Sequence, residues 1–136
     1  MRFTYIFDEV LYRKGMLNRD ISRFLKDNNI TTHLWADSAE PKSISEIRAY
    51  GHKIAGVSKG RDSVIYGINL INQNEIYITS RSKNLIKELQ GYVWAKDKEG
   101  NNIQKPTGSH PDCIDAARYA LMMQLQNPNR GKYAIR

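Results

Sequence analysis

Towards the end of the sequence, in Ser109 to Leu125 (SHPDCIDAARYALMMQL), two carboxylates stand three residues apart at Asp112 and Asp115. On a helix this spacing projects both side chains from one face, where they can share a cation. The helix dipole by itself also accounts for acids in a first turn. The stretch reads as a helix start. Ser109 can cap it, Pro111 suits an opening turn in which a missing N–H costs nothing, and Asp112 meets the positive end of the dipole. Ile114, Ala117, Leu121 and Leu125 follow as an apolar stripe on a different face, so the helix must pack on something. A third acid, Asp37, closes Ile30 to Ala36 (ITTHLWA), a run with the composition of a buried strand. Ligands of open α/β sheets bind beyond the carboxyl ends of strands. Asp37 is also readable as a loop-start residue capping the turn through Pro41. Carboxylate oxygens are hard ligands suited to Mg²⁺ or Mn²⁺, and no Cys/His set suits Zn²⁺. Two such ions about 4 Å apart can activate a water and stabilise the leaving oxygen in phosphodiester hydrolysis.

The elements that must position these acids follow from composition and periodicity. Phe3 to Tyr12 (FTYIFDEVLY) reads as a strand with a polar break at Asp8 and Glu9. Asn18 or Asp20 can cap a helix through Asp27 with Ile21, Phe24 and Leu25 inward, closed by Asn28-Asn29. After Asp37 comes a helix over Ile44 to Tyr50, ended by Gly51, then a strand over His52 to Val57. Neither His33 nor His52 has a metal-spaced partner. A helix over Ser63 to Gln73, capped by Asp62, precedes a strand over Glu75 to Thr79 and a helix over Ser82 to Gln90. Tyr92 to Ala95 and a return strand to Pro106 form a hairpin with a charged tip holding Gly100. The alternation predicts an α/β layer fold, helices on a mixed sheet.

The 136 residues suffice for one domain with its own core, and 40% hydrophobic content argues against disorder. The domain is assigned to residues 1–126, with a flexible basic tail over 127–136. The single Cys113 excludes a disulfide framework and fits a reducing compartment. No apolar run approaches membrane-spanning length and the N-terminus lacks a signal-peptide pattern, so a cytosolic protein without a membrane partner is expected. Lys and Arg number 21 against 14 Asp and Glu, a net charge of +7 that favours polyanions such as nucleic acid. Lys59 and Arg61 in the turn from Ser58 to Ser63, and Lys96 and Lys98 on the hairpin tip, are the candidate DNA-binding cations. The turn suits a phosphate but lacks the Walker pattern.

The run WADSAEPKSISEIRAYGHKIAGVSKGRDSVIYGINL, then LIKELQGYVWAKDKEG and IDAARYAL, resembles the nuclease domain of tailed-bacteriophage large terminase subunits, over nearly the whole chain and in order. The resemblance implies a ribonuclease H-like fold, with a mixed central sheet flanked by helices and a β-hairpin near the active site. It implies a two-metal endonuclease, using Mg²⁺ or Mn²⁺, that cuts concatemeric double-stranded viral DNA during packaging in the cytoplasm of the bacterial host. By the same resemblance Asp37 matches the strand-borne acidic ligand and Asp115 the acid opening the last helix. Asp112 matches an accessory ligand or general base, and Tyr92 to Thr107 the DNA-handling hairpin. The full-length partners implied are an ATPase motor domain, the portal and the small terminase subunit.

The family's first catalytic Asp lies on a strand that should precede Phe3, in a GxDxG-like stretch that does not occur here. The expectation is an N-terminally truncated domain, impaired alone and most active with Mn²⁺, or else a catalytically inactive prophage remnant that still folds and binds DNA or a packaging partner. Glu9 stands where it could substitute in part. A ribonuclease H-like resolvase or transposase is disfavoured by the ADSAEPKSI run.

Overall fold

The computed structural model describes residues 3–57, 63–107 and 111–126. In chain order these form β1 (Thr4–Phe7), α1 (Asn18–Asp27), β2 (Leu34–Ala36), α2 (Pro41–Ala49), β3 (Ile54–Gly56), α3 (Ser63–Gln73), β4 (Glu75–Ile78), α4 (Lys83–Gln90), β5 (Val93–Lys96), β6 (Asn102–Thr107) and α5 (Asp112–Gln126). Their strands pair two by two: β1 with β4 and β2 with β3 in parallel, β5 with β6 antiparallel. Each parallel pair needs a crossover, which α2 supplies between β2 and β3. The chain divides into two compact units, Met1–Tyr12 with Asp62–Arg118, and Arg13–Arg61 with Tyr119–Arg136. The division falls within α5.

In the second of these units, α1 starts differently from its sequence signature. The capping position is held by Leu17, which has no polar side-chain atom, and Asp20 instead accepts the Leu17 N–H at 3.0 Å from the third helical position. This is the reciprocal half of a capping box. The other end follows expectation. Asn29 takes φ 54°, and the Ile30 and Asn29 N–H groups return to Leu25 O at 2.9 Å and Lys26 O at 3.1 Å, a Schellman closure. Helix α2 begins three residues before the predicted Ile44, because Pro41 can occupy the first turn without an N–H to satisfy. Ile44 and Ile47 of α2 pack with Ile54 of β3 in a core joined by Ile21, Leu34 and Ala36. A second cluster joins Val57, Tyr119 and Met123 with Trp35. His52 is satisfied by the buried Ser22 hydroxyl at 2.7 Å, as an ordinary structural histidine.

In the first unit, β1 and β4 pair from Thr4 with Glu75 to Phe7 with Ile78. The strand is shorter than the predicted Phe3 to Tyr12, because the chain turns at the polar break to bond side chains. Asp8 accepts from Thr79 Oγ1 at 2.6 Å and Arg81 Nε at 2.8 Å and also pairs with Arg81 Nη2. The Arg81 and Thr79 hydrogen bonds hold its carboxyl down at about 2, from an ordinary 3.8. A depressed carboxyl pKa contributes stability above pH 3.8 that is lost as pH falls through about 2. The thermal midpoint of the wild type should therefore exceed that of Asp8→Asn at pH 5, and the gap should close towards pH 2. A pH-independent gap would show that ionised Asp8 contributes nothing.

The β5–β6 ladder pairs Val93 with Thr107, Trp94 with Pro106 and Lys96 with Asn102, with a register shift between Trp94 and Lys96. Its turn is held by Asp97 Oδ1, which accepts the Glu99 and Asn101 N–H groups at 3.0 and 2.8 Å, while Gly100 supplies φ 85°.

Candidate active site

Helix α5 opens on the hydrogen bond from Asp115 N to Pro111 O at 2.8 Å, which puts Pro111 at the capping position. The predicted cap Ser109 lies outside the described residues, as does Asp62 before α3. Two orphan N–H groups of the first turn are taken by Glu88, at the end of α4. Its Oε1 accepts from Cys113 N at 2.9 Å and Ile114 N at 3.0 Å, and its Oε2 from Cys113 N at 3.2 Å. Burial and the adjoining Glu88 push the Cys113 thiol up to about 12, so it carries no thiolate near neutral pH and is no nucleophile.

Asp112 is exposed, and the Asp115 side chain is 34% exposed. Both belong to the opening of α5, as their spacing requires. Asp115 Oδ1 accepts from Arg118 Nη2 at 3.1 Å, and the Arg118 side chain is itself only 4% exposed, with Nη1 directed at Ser63 O. Burial and then the Asp115 charge raise the Tyr92 phenol pKa. The buried face of α5 comprises Ile114, Arg118, Tyr119, Leu121, Met122 and Met123. It is turned from the predicted stripe, in which Ala117 and Leu125 took places that are in fact half-buried.

Asp37 follows β2 in the other unit. Its Oδ1 accepts the Ala39 N–H at 2.9 Å and its carbonyl the Glu40 N–H at 3.2 Å, the Asx-type turn expected of a loop-start residue. The turn is pinned from β3: a Cβ on Gly56 would lie 3.2 Å from Ser38 Cβ. Among the described residues no group of three or more His, Cys, Asp or Glu is arranged to hold a metal ion. The donor chemistry of Asp112 and Asp115, hard oxygens on an accessible helix start, fits a divalent ion all the same. Lys96 and Lys98 are exposed at the hairpin tip, and Lys59 and Arg61 lie outside the described residues.

Glu9 is otherwise engaged. Its N–H donates to Ser82 Oγ at 2.8 Å, and its carboxylate accepts from Asn84 Nδ2 at 2.7 Å and Leu85 N at 2.9 Å. Burial opposes its ionisation, but these hydrogen bonds prevail and lower its pKa. It caps α4 where the sequence suggested a substitute ligand. Arg118 and Glu88 were not among the expected site residues. The three-residue spacing of Asp115 and Arg118 was a usable signal for the first; no local pattern signals the second.

Residues 2–123 match the family described as the terminase RNase H-like domain. The large terminase subunit of Bacillus phage SPP1 is 30% identical over 126 residues, 90% of this chain and 30% of that protein. The PBSX phage terminase large subunit of Bacillus subtilis strain 168 is 30% identical over 124 residues, 88% of this chain and 28% of that protein. The chain thus spans less than a third of the length of these relatives. Among solved structures, the SPP1 large terminase nuclease domain, crystallised with bound Mn, superposes with a TM-score of 0.77 at 30% identity, covering 89% of this chain and 71% of that one. A large terminase from a thermophilic bacteriophage shares the fold with a TM-score of 0.61 at 21% identity, over 82% of this chain and 30% of that one. By sequence and by ribonuclease H-like fold, the chain belongs to the terminase RNase H-like domain family.

Proposed function

We propose that the chain is the divalent-metal-dependent nuclease part of a phage or prophage large terminase, cutting double-stranded DNA as genomes are packaged in the bacterial cytoplasm. The observation that carries the reading is the acidic pair opening α5, in a family one of whose members was crystallised with Mn. Asp115 and Asp37 serve as metal ligands, Asp112 as accessory ligand or general base. Bound Mg²⁺ or Mn²⁺ supplies water activation and charge stabilisation at the phosphate. Arg118 holds one oxygen of Asp115 and thereby fixes the orientation of the carboxylate. In the full-length protein the partners are the motor domain, the portal and the small terminase subunit.

The test is nicking of supercoiled plasmid by the chain. Slow nicking is expected in Mn²⁺, weaker in Mg²⁺, whose coordination demands are stricter, and none in EDTA. Cleavage that survives the chelator, or plasmid that stays supercoiled in Mn²⁺, would overturn the reading.

DNA contact falls to the hairpin cations. Replacing Lys96 and Lys98 with Ala should weaken duplex binding uniformly across sequences and reduce the slope of log affinity against log salt by about 2, roughly one for each phosphate no longer neutralised. An unchanged slope would remove the hairpin tip from the DNA path.

A further inference from the structure

Two glutamates close helix starts far from themselves in sequence. Glu9, beyond β1, caps α4 through Asn84 Nδ2 and Leu85 N. Glu88, in the last turn of α4, places its carboxylate on the Cys113 and Ile114 N–H groups of α5. Those two amides lie between Asp112 and Asp115 in the chain. The first N–H groups of a helix have no intrahelical acceptor, and a carboxylate there both satisfies them and meets the positive end of the dipole. The residue just before the helix usually supplies the acceptor, but Pro111 has no side-chain oxygen to offer.

We propose that Glu88 is the positioning residue of the acidic pair: it fixes the backbone between Asp112 and Asp115 and so sets the direction of both carboxylates. Glu9, by holding the start of α4, supports Glu88 in turn. The inference rests on reading Asp112 and Asp115 as metal ligands. Reach decides here rather than charge. Oε1 alone makes both of the shorter hydrogen bonds, at 2.9 and 3.0 Å, so the amide oxygen of Gln can replace it. An Asp, one methylene shorter, keeps the charge but falls short of the amides.

The experiment titrates the 136-residue chain and its variants with Mn²⁺, reading free Mn²⁺ by electron paramagnetic resonance, alongside hydrogen exchange at the Cys113 and Ile114 amides. Glu88→Gln should bind Mn²⁺ within about twofold of wild type, whereas Glu88→Asp and Glu88→Ala should bind about tenfold or more weakly, the usual cost of losing an outer-shell support. Amide exchange should quicken in the same order. Tighter binding by the Asp variant than by the Gln variant would assign the effect to charge and overturn the proposal. So would wild-type affinity in Glu88→Ala with quickened exchange. If the Ala variant does not fold, the Gln and Asp pair decides alone. Asp115→Asn with unchanged Mn²⁺ affinity would instead sink the site reading, whatever Glu88 does to the amides.

Discussion

Asp115→Asn and Asp37→Asn should each reduce Mn²⁺-dependent nicking at least about a thousandfold, since a metal contributes several kcal/mol of transition-state stabilisation and each 1.4 kcal/mol is about a factor of ten. Asparagine is the informative replacement at both positions. At residue 115 an alanine would take the carboxylate from a guanidinium that is 4% exposed, and stripping a partner from a buried charge costs about 3–5 kcal/mol in stability. Lost activity could then reflect lost structure. Asparagine keeps an oxygen for Arg118, and at residue 37 it keeps the acceptor for the Ala39 N–H. Circular dichroism should show both variants folded. Nicking by either at the wild-type rate would place the catalytic set elsewhere.

Ile114→Ala should be among the most damaging single truncations in α5. Ile114 is 2% exposed and sits between the two acids of the helix. Removing a buried Ile side chain costs about 2–5 kcal/mol in lost transfer energy and residual cavity, a large part of the roughly 5–15 kcal/mol that holds a domain folded. For a domain of this size about 3 kcal/mol is about 10 °C in melting midpoint. Thermal unfolding with and without Mn²⁺ measures it. A shift below about 2 °C would show that the first turns of α5 are held by their cap rather than by burial of this side chain.

Where chain-local rules decide, the sequence was legible. Helix α3 has its predicted bounds, α1 ends at its Asn pair and α2 is terminated by Gly51 at φ 104°, since periodicity and left-handed closers act within a few residues. The acidic pair of α5 was likewise visible from spacing alone. Legibility failed where a partner distant in sequence decides. The ladder of β1 stops where Asp8 and Glu9 turn to Arg81, Ser82 and Leu85. The inward face of α5 includes Arg118, a cation that an apolar pattern excludes and that is buried with Asp115 as an ion-pair partner. Glu88 lies 25 residues before the amide it accepts, in a helix read only for its apolar residues.

The pairing of β1 with β4 joins residues 71 apart, Thr4 with Glu75, whereas β2 meets β3 within a single helix crossover. During synthesis from the N-terminus, β1 therefore leaves the ribosome long before the strand it pairs with, and α4, which Glu9 caps, comes later still. Until β4 emerges, Tyr5 and Ile6 lack the partner strand of this ladder, and an unpaired strand edge is the kind of surface that recruits a wrong partner. The β2–α2–β3 segment closes its ladder over a much shorter loop and a lower entropic cost. The order of emergence thus lets the β2–α2–β3 segment fold locally while β1 waits for β4.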